Sequence, residues 1–174
     1  HWNYYWYQLS QLNTVLKEGD SILEIGVGTK FTSNYLKSKG YKVTTIDIDA
    51  VKEPDIVANI MEYDFPDQFD HILAFEVFEH IPFEDFIKVL VKINTVFNKN
   101  MLISLPRNEK VWFSTRVEFP GSKGFSFRIA SRRNKILTKN HHWEIDYKKY
   151  TKAFLEKTFN DLNYRVKERR KVNS

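Results

Sequence analysis

Cysteine is absent from the 174-residue sequence, and no apolar run comes near the length of a membrane span. Without cysteine the chain can form no disulfide, no thiolate metal site and no cysteine nucleophile. A bilayer span needs roughly 20 consecutive apolar residues, and no secretory signal is visible, so we expect a soluble cytoplasmic protein. Repeats, linkers and low-complexity stretches are also missing from the sequence.

The composition is that of a globular protein. Apolar residues make up 42% of the chain, charged residues 28% and aromatic residues 16%. A chain of this length can build one domain with a proper core but not two ordinary ones. The sequence therefore predicts a single domain over residues 1–174.

The net charge of +5 is unevenly distributed along the chain. Residues 107–140 carry nine lysines and arginines against two glutamates, and residues 165–171 carry five against one. Concentrated basic charge on an otherwise acidic protein indicates a surface for an anionic partner. The alternative is a solvated loop followed by a charged edge strand.

Helical and strand periodicities alternate, which is typical of an α/β protein. We predict a doubly wound, Rossmann-like domain with a mostly parallel twisted sheet and helices on both faces. Residues 107–140 show no clean period and are interpreted as an excursion on the substrate side. The predicted helices cover 3–17, 31–39, 82–97 and 147–162, and the predicted strands cover 21–25, 41–46, 55–60, 69–75, 101–105 and 163–172.

A glycine turn follows the first predicted strand, where ligands bind in sheets of this kind. Gly26 and Gly28 allow a tight turn and close approach of the backbone to a ligand. Phe31 occupies the place of the third glycine of the dinucleotide fingerprint, which argues against a pyrophosphate cradle. Asp47, at the end of the second strand, can accept hydrogen bonds from ribose hydroxyls, and Glu24 needs a cationic ligand or backbone amides as its partner.

Three segments carry a resemblance to a known family: ILEIGVGTK at 22–30, VTTIDID at 43–49 and FDHILAFEVFEHI at 69–81. In their order and spacing they resemble the class I S-adenosylmethionine (SAM)-dependent methyltransferases over about residues 20–106. The resemblance implies that SAM is the cofactor. It places around SAM, from the methionine end onward, Glu24, Gly26 and Gly28, then Asp47 at the ribose, Ile48, Asn59 and Ile60 at the adenine, and Glu76 at the reactive end.

The sequence departs from the family pattern at two places. Asn59 stands where the family often has an acid, which keeps a hydrogen-bond acceptor but loses a charge. The family usually closes its sheet with a hairpin, whereas this chain offers one clear candidate strand at 163–172. The second strand is either within 111–140 or missing because the chain is truncated.

Histidines are the candidate catalytic residues. Methyl transfer from a sulfonium depends mostly on alignment, but an alcohol or amine acceptor must also lose a proton, and histidine is suited to accept it. We propose His80 and His142 for this role, with His141 in reserve; the alternative for each is a hydrogen-bonded packing role. His71 is interpreted as structural, and Trp143 either stacks on the substrate or packs against the core.

A divalent metal is the less favoured interpretation of the same region. Glu76, Glu79 and His80 recur at helical spacing, so together with His142 they could chelate an ion. The pattern resembles a metal-binding subset of the family, but it also occurs in metal-free relatives. Organic acid–base chemistry is therefore preferred.

The sequence predicts a SAM-dependent methyltransferase whose O or N acceptor lies on a small molecule or an anionic sugar or metabolite intermediate. One alternative is an RNA methyltransferase that uses the basic segments 107–140 and 165–171, with an affinity that falls steeply with salt. Others are a SAM-fold binding protein without turnover and a nicotinamide-dependent oxidoreductase, although the missing third glycine argues against the latter. The oligomeric state is not indicated.

Overall fold

The computed structural model describes residues 2–117, 125–136 and 138–167. No helix in these ranges is long and apolar enough to cross a membrane. Short 3₁₀ turns lie at Ala50–Lys52 and Phe78–His80. The helices are α1 (Trp2–Val15), α2 (Phe31–Ser38), α3 (Phe83–Ile93) and α4 (Lys152–Asp161), and the strands are β1 (Ser21–Ile25), β2 (Lys42–Asp47), β3 (Ile56–Val57), β4 (Phe69–Phe75), β5 (Phe97–Ser104), β6 (Glu109–Val117) and β7 (Phe125–Arg132).

The main sheet has the strand order β3-β2-β1-β4-β5, and every pair in it is parallel. Ile25, the last residue of β1, lies opposite Ile46 on one side and Ala74 on the other. The chain runs outward from β1 to β3 and then returns to start the other half at β4. The strand order therefore reverses between β1 and β4, where sheets of this type leave a crevice for ligands.

Alternating strand residues face two separate cores. Ile22 belongs to a cluster with Leu12 of α1 and Leu36 of α2. Its neighbour Leu23 belongs to a larger cluster that includes Phe86 of α3 and a residue of α4. Because successive side chains of a strand point to opposite faces, α1 and α2 cover one face and α3 and α4 the other. The predicted doubly wound arrangement is confirmed.

The boundary between α3 and β5 differs from the prediction. Helix α3 ends at Ile93 rather than residue 97, and β5 begins at Phe97 rather than residue 101. The first half of β5 carries Asn98, Lys99 and Asn100, and among the described strands β5 pairs only with β4. An edge strand exposes polar side chains to solvent, so its first half has the composition of a loop.

The closing strand predicted at 163–172 is not found in its described part. Residues 163–167 are irregular, and residues 168–172 lie outside the described part of the chain. Asn163 adopts a left-handed conformation with a φ of 63°, which stops α4. Tyr164 then donates its hydroxyl to the Leu90 carbonyl at 2.6 Å and stacks on Phe97. The segment docks on α3 and β5 instead of adding a strand.

The predicted excursion at 107–140 contains an antiparallel hairpin. Strands β6 and β7 pair with each other from Glu109 opposite Arg132 to Val117 opposite Phe125, and they form a sheet of their own. Residues 118–124 and 137 lie outside the description. The segment 111–140 therefore does contain strands. In the described residues, however, they form a separate hairpin and do not extend the main sheet.

Candidate cofactor and acceptor site

A cavity of about 220 Å³ opens where β1 and β4 end. Four of the residues that the sequence places around the cofactor line it: Glu24, Gly26, Gly28 and Glu76. Glu24 is the fourth residue of β1, and the glycine turn that follows carries the chain into α2. The site lies at the reversal of strand order because the turn and the end of β4 meet there.

The first glycine of the turn is required on two grounds. Gly26 has a φ of +77°, which side chains with a Cβ rarely adopt. A Cβ built there would also lie 2.5 Å from the Cγ2 atom of Val77. Gly28 has a φ of +51° and nothing within 4 Å of its Cβ position, so only its backbone conformation favours glycine.

Two buried polar groups in the cavity wall lack a hydrogen-bond partner among the described residues: the Oε2 atom of Glu24 and the Nε2 atom of Gln8. Burial raises the pKa of Glu24 to about 7, although hydrogen bonds from Ser33 and the charge of Lys37 lower it. An unpaired carboxylate oxygen suits a cation, and an unpaired amide N–H suits an anion. The two groups together fit the ammonium and carboxylate of an amino-acid moiety such as the methionine end of SAM.

Gln8 and Tyr5 were missed at the level of sequence. The apolar stripe of α1 indicates packing, and Gln8 lies one turn before Leu12 on that stripe. A polar residue on a buried stripe was the available signal. Tyr5 belongs to the same stripe but is half-buried, lines the cavity and contacts the hydroxyl of Thr29 at 3.0 Å.

Asp47 fastens the glycine turn to the end of β2. Its Oδ2 atom accepts from the amide of Val27 at 2.9 Å and from the Nζ atom of Lys52 at 3.1 Å, while Oδ1 accepts from the amide of Asp49. Burial would raise the pKa of Asp47, but these contacts outweigh it and lower the pKa. A carboxylate has about four lone-pair sites, so one remains for a ribose hydroxyl. The neighbouring Ile48 is 72% exposed and offers an apolar surface.

Asn59 has a local role in the structure. Its Oδ1 atom accepts from the amide of Met61, and its Nδ2 atom donates to Glu62 at 3.1 Å. Ile60 is half-buried against the larger core cluster. Neither residue lines the cavity around Glu24, so their predicted contact with the adenine remains a prediction.

Beyond the cavity, the chain continues from Glu76 into the 3₁₀ turn at 78–80. Glu76 has a φ of 55°, and its Oε1 atom accepts from the hydroxyl of Ser104 at 2.9 Å. The turn directs Phe78 and Glu79 inward and His80 outward. Burial, followed by the nearby charges of Glu76 and Glu144, raises the pKa of Glu79 to about 8.

The structure brings together His80 and His141, with ring centroids 5.0 Å apart. Their Nδ1 atoms contact the carbonyl of Asn140 at 3.1 Å and the Oε1 atom of Glu144 at 2.8 Å, respectively. His142 contacts this region through its backbone amide, which donates to the Glu79 carbonyl at 2.8 Å, while its side chain is exposed. His141, which the sequence analysis held in reserve, therefore contacts the ring of His80, whereas the side chain of His142 does not.

The other two side chains considered at the sequence level belong to the core. Trp143 is fully buried against Phe83 and Phe86, and its Nε1 atom donates to the Ile81 carbonyl at 3.2 Å. This packing fixes the segment that carries His141. His71 is also fully buried, and its structural role is supported by a 2.9 Å contact with Asp20.

A family model described as a methyltransferase domain matches residues 5–168. No curated protein matches the sequence. Solved structures that share the fold include the following three. The first is a SAM-dependent methyltransferase from Clostridium acetobutylicum, with 13% identity, a TM-score of 0.54 and coverage of 92% of this chain and 78% of that one.

The second solved structure is DhpI in complex with S-adenosylhomocysteine (SAH), with 16% identity, a TM-score of 0.55 and coverage of 88% of this chain and 72% of that one. The third is the N-methyltransferase NodS from Bradyrhizobium japonicum, also in complex with SAH. It has 12% identity, a TM-score of 0.51 and coverage of 65% of this chain and 77% of that one. At these identities the likeness concerns the fold.

Proposed function

We propose, from the premise that this chain belongs to the class I SAM-dependent methyltransferase family, that it holds SAM in the cavity beside Glu24 and Gln8. It then transfers the methyl group to an oxygen or nitrogen of a small anionic molecule. The observation that carries the proposal is the pair of unpartnered polar groups in the cavity wall. The Glu24 carboxylate can accept from the ammonium of the methionine end, and the Gln8 amide can donate to its carboxylate.

The cofactor's remaining parts follow the crevice. With the methionine end at Glu24, the ribose reaches the remaining acceptor site of Asp47, and Ile48 packs against the adenine. Glu76, which follows β4 and also lines the cavity, is assigned to the reactive end of the cofactor. Because the glycine turn links Glu24 to Asp47 through the Val27 amide, one rigid loop positions both ends of the cofactor.

The chemical step is an in-line displacement at the methyl carbon. The acceptor's lone pair forms the new bond to carbon, the carbon–sulfur bond breaks, and sulfur retains the electron pair. Alignment of this kind supplies about 7–11 kcal/mol in well-oriented reactions. The acceptor's proton passes to the Nε2 atom of His80, whose ring is held through Nδ1 at the Asn140 carbonyl. His141 adjoins this ring, and His142 is the more distant alternative.

A second, basic cavity supports the proposed acceptor class. Arg132 and Arg133 at the end of β7 and Lys148, seven residues after His141, line a cavity of about 310 Å³. The buried Asp146 pairs with Arg107 and Arg132, whereas Arg133 and Lys148 have no carboxylate partner among the described residues. Two cations without a carboxylate partner, of which Lys148 lies over the ring of Tyr147, favour a small molecule with a phosphate or carboxylate group.

Calorimetric titration with SAM tests the cofactor assignment. We expect the wild-type protein to bind SAM and SAH but not NAD. Gln8→Leu removes the amide donor and should weaken SAM binding by about tenfold, the value of roughly one hydrogen bond to a charged group. Gln11→Leu, one turn away on the same helix and outside the cavity lining, should bind SAM like the wild type.

Absence of SAM binding by a folded sample would contradict the proposal, as would equal binding by the two glutamine variants and the wild type. Transfer of a labelled methyl group from SAM to mixtures of hydroxyl- and amine-bearing anionic metabolites then tests the acceptor class. Labelling of RNA with a steep loss of activity in salt, and none of the small molecules, would replace the small-molecule acceptor by RNA.

A further inference from the structure

Glu79, His80 and His141 form a cluster at the acceptor end of the crevice. Each offers one ligand atom, and the three ligand atoms all lie within 4.8 Å of one another. We propose that this cluster binds one divalent first-row transition-metal ion. Its members differ from the set indicated by sequence, because neither Glu76 nor His142 belongs to it.

The hydrogen bonds of the two rings prepare their Nε2 atoms as ligands. The Asn140 carbonyl can only accept, so the Nδ1 atom of His80 carries the proton. The Glu144 carboxylate holds the Nδ1 proton of His141 in the same way at 2.8 Å. Both Nε2 atoms then present a lone pair. A metal-bound histidine usually donates its other N–H to a carboxylate or carbonyl, as both rings do here.

Glu79 supplies the third ligand and the charge. It is 1% exposed, and neither of its carboxylate oxygens has a hydrogen-bond partner among the described residues. The Nε2 atom of His80 lies 4.0 Å from its Oε1 atom, too far for a hydrogen bond. An uncompensated buried carboxylate is costly, and a metal ion removes that cost. The unpartnered acid thus points to a cation as the missing partner.

The ligand types define the class of metal. Two imidazoles and one carboxylate suit zinc and its neighbours in the first transition row, whereas Mg²⁺ and Ca²⁺ prefer oxygen ligands. Three protein ligands also leave a coordination position open, as in catalytic zinc sites. His80 is the exposed member, with 45% of its side chain accessible, so an ion held by this cluster would be reachable from solvent.

The use of the metal rests on the proposed function, although the site itself does not. At its open coordination position the metal ion would bind the acceptor's oxygen or nitrogen and lower the pKa of that group. The proton would then be lost without His80 acting as the base. Methyl transfer that falls in chelator and returns with added metal would indicate this route.

The test is metal binding by the full chain after dialysis against a chelator. Co²⁺ is followed by its visible absorption and Zn²⁺ by calorimetry, with circular dichroism confirming that each variant is folded. We expect one ion per chain in the wild type. Glu79→Gln and His141→Ala should each lose at least tenfold in metal affinity, a value typical even of outer-shell changes. The matched control, His142→Ala, should bind Co²⁺ and Zn²⁺ like the wild type.

The proposal is overturned if the wild type binds neither ion, or if His141→Ala binds them as tightly as the wild type. It is equally overturned if His142→Ala loses the metal and His141→Ala does not. SAM titration of the same samples separates the two proposals. SAM binding without metal binding rejects the metal site alone, and metal binding without SAM binding rejects the cofactor assignment alone.

Discussion

Replacing Glu24 with glutamine is expected to weaken SAM binding and, at pH 8, to stabilise the cofactor-free protein. In the proposed cofactor site this carboxylate is the partner of the methionine ammonium, and breaking a buried charge pair of this kind costs about 3 kcal/mol, or roughly 100-fold in affinity. Without cofactor the same carboxylate has an unpaired buried oxygen. Glutamine keeps the shape and removes the charge, so one substitution moves binding and stability in opposite directions.

The stability effect should depend on pH in a defined way. Burial raises the pKa of Glu24 from 4.5 to about 7, so between these values the folded state binds more protons than the unfolded state. The stability of the cofactor-free wild type therefore decreases as pH rises through this window. Glu24→Gln has no carboxyl group to deprotonate, so its stability should not decrease for this reason. The two proteins should differ little at pH 4.5 and by about 1–3 kcal/mol at pH 8, below the ceiling set by the pKa difference.

Urea denaturation at several pH values and SAM calorimetry measure the two effects. Glu18→Gln changes an exposed glutamate outside the cavity lining and should alter neither quantity. Unchanged SAM affinity in Glu24→Gln would remove Glu24 from the cofactor site. A difference in stability that is constant with pH would show that the buried charge is not its cause.

Replacing Asp20 with alanine is expected to destabilise the protein by about 3–5 kcal/mol, the usual cost of breaking a buried ionic network. Asp20 is 4% exposed. Its carboxylate accepts from the Lys17 amide at 2.7 Å, from the Nε2 atom of His71 at 2.9 Å and from the ammonium of Lys99. Alanine leaves a fully buried imidazole and a backbone amide without their acceptor.

The contribution of Asp20 should vanish in acid. Burial alone would raise its pKa, but the hydrogen bonds from Lys99, Lys17 and His71 outweigh burial and lower the pKa to about 2. A lowered carboxyl pKa gives stability that is present above the unfolded value of 3.8 and is lost as pH falls toward 2. The difference between wild type and Asp20→Ala should therefore shrink over that range.

Chemical denaturation at pH 7, 5, 4 and 3 checks this prediction. Asp161→Ala serves as the control, because it removes a surface aspartate whose i,i+4 pair with Lys157 contributes about 0.3–0.5 kcal/mol. A loss in Asp20→Ala no larger than in this control would mean that the buried network adds nothing to stability.

The cavity around the glycine turn could be predicted because its signals are local. The glycine turn, Glu24 and Glu76 lie within a few residues of a strand end, and parallel strands bring their carboxyl ends to the same edge. Asp47 was placed correctly at the end of β2, but its bonds to Val27, Asp49 and Lys52 depend on where the turn folds back. Gln8 joins the cavity only because α1 packs across the sheet.

The acceptor half was decided by tertiary structure. His141 and His142 are adjacent in sequence, and no pattern separates them. Trp143, buried against α3, fixes the rotation of the loop, so that His141 faces His80 while the His142 side chain turns to solvent. The sequence by itself determined the fold class, the family and the place of the glycine turn at the end of β1, since these follow from periodicity and short motifs. Asn140 and His141, which contact His80, lie some 60 residues further along the chain. Only the packing of that segment could bring them to Glu79 and His80.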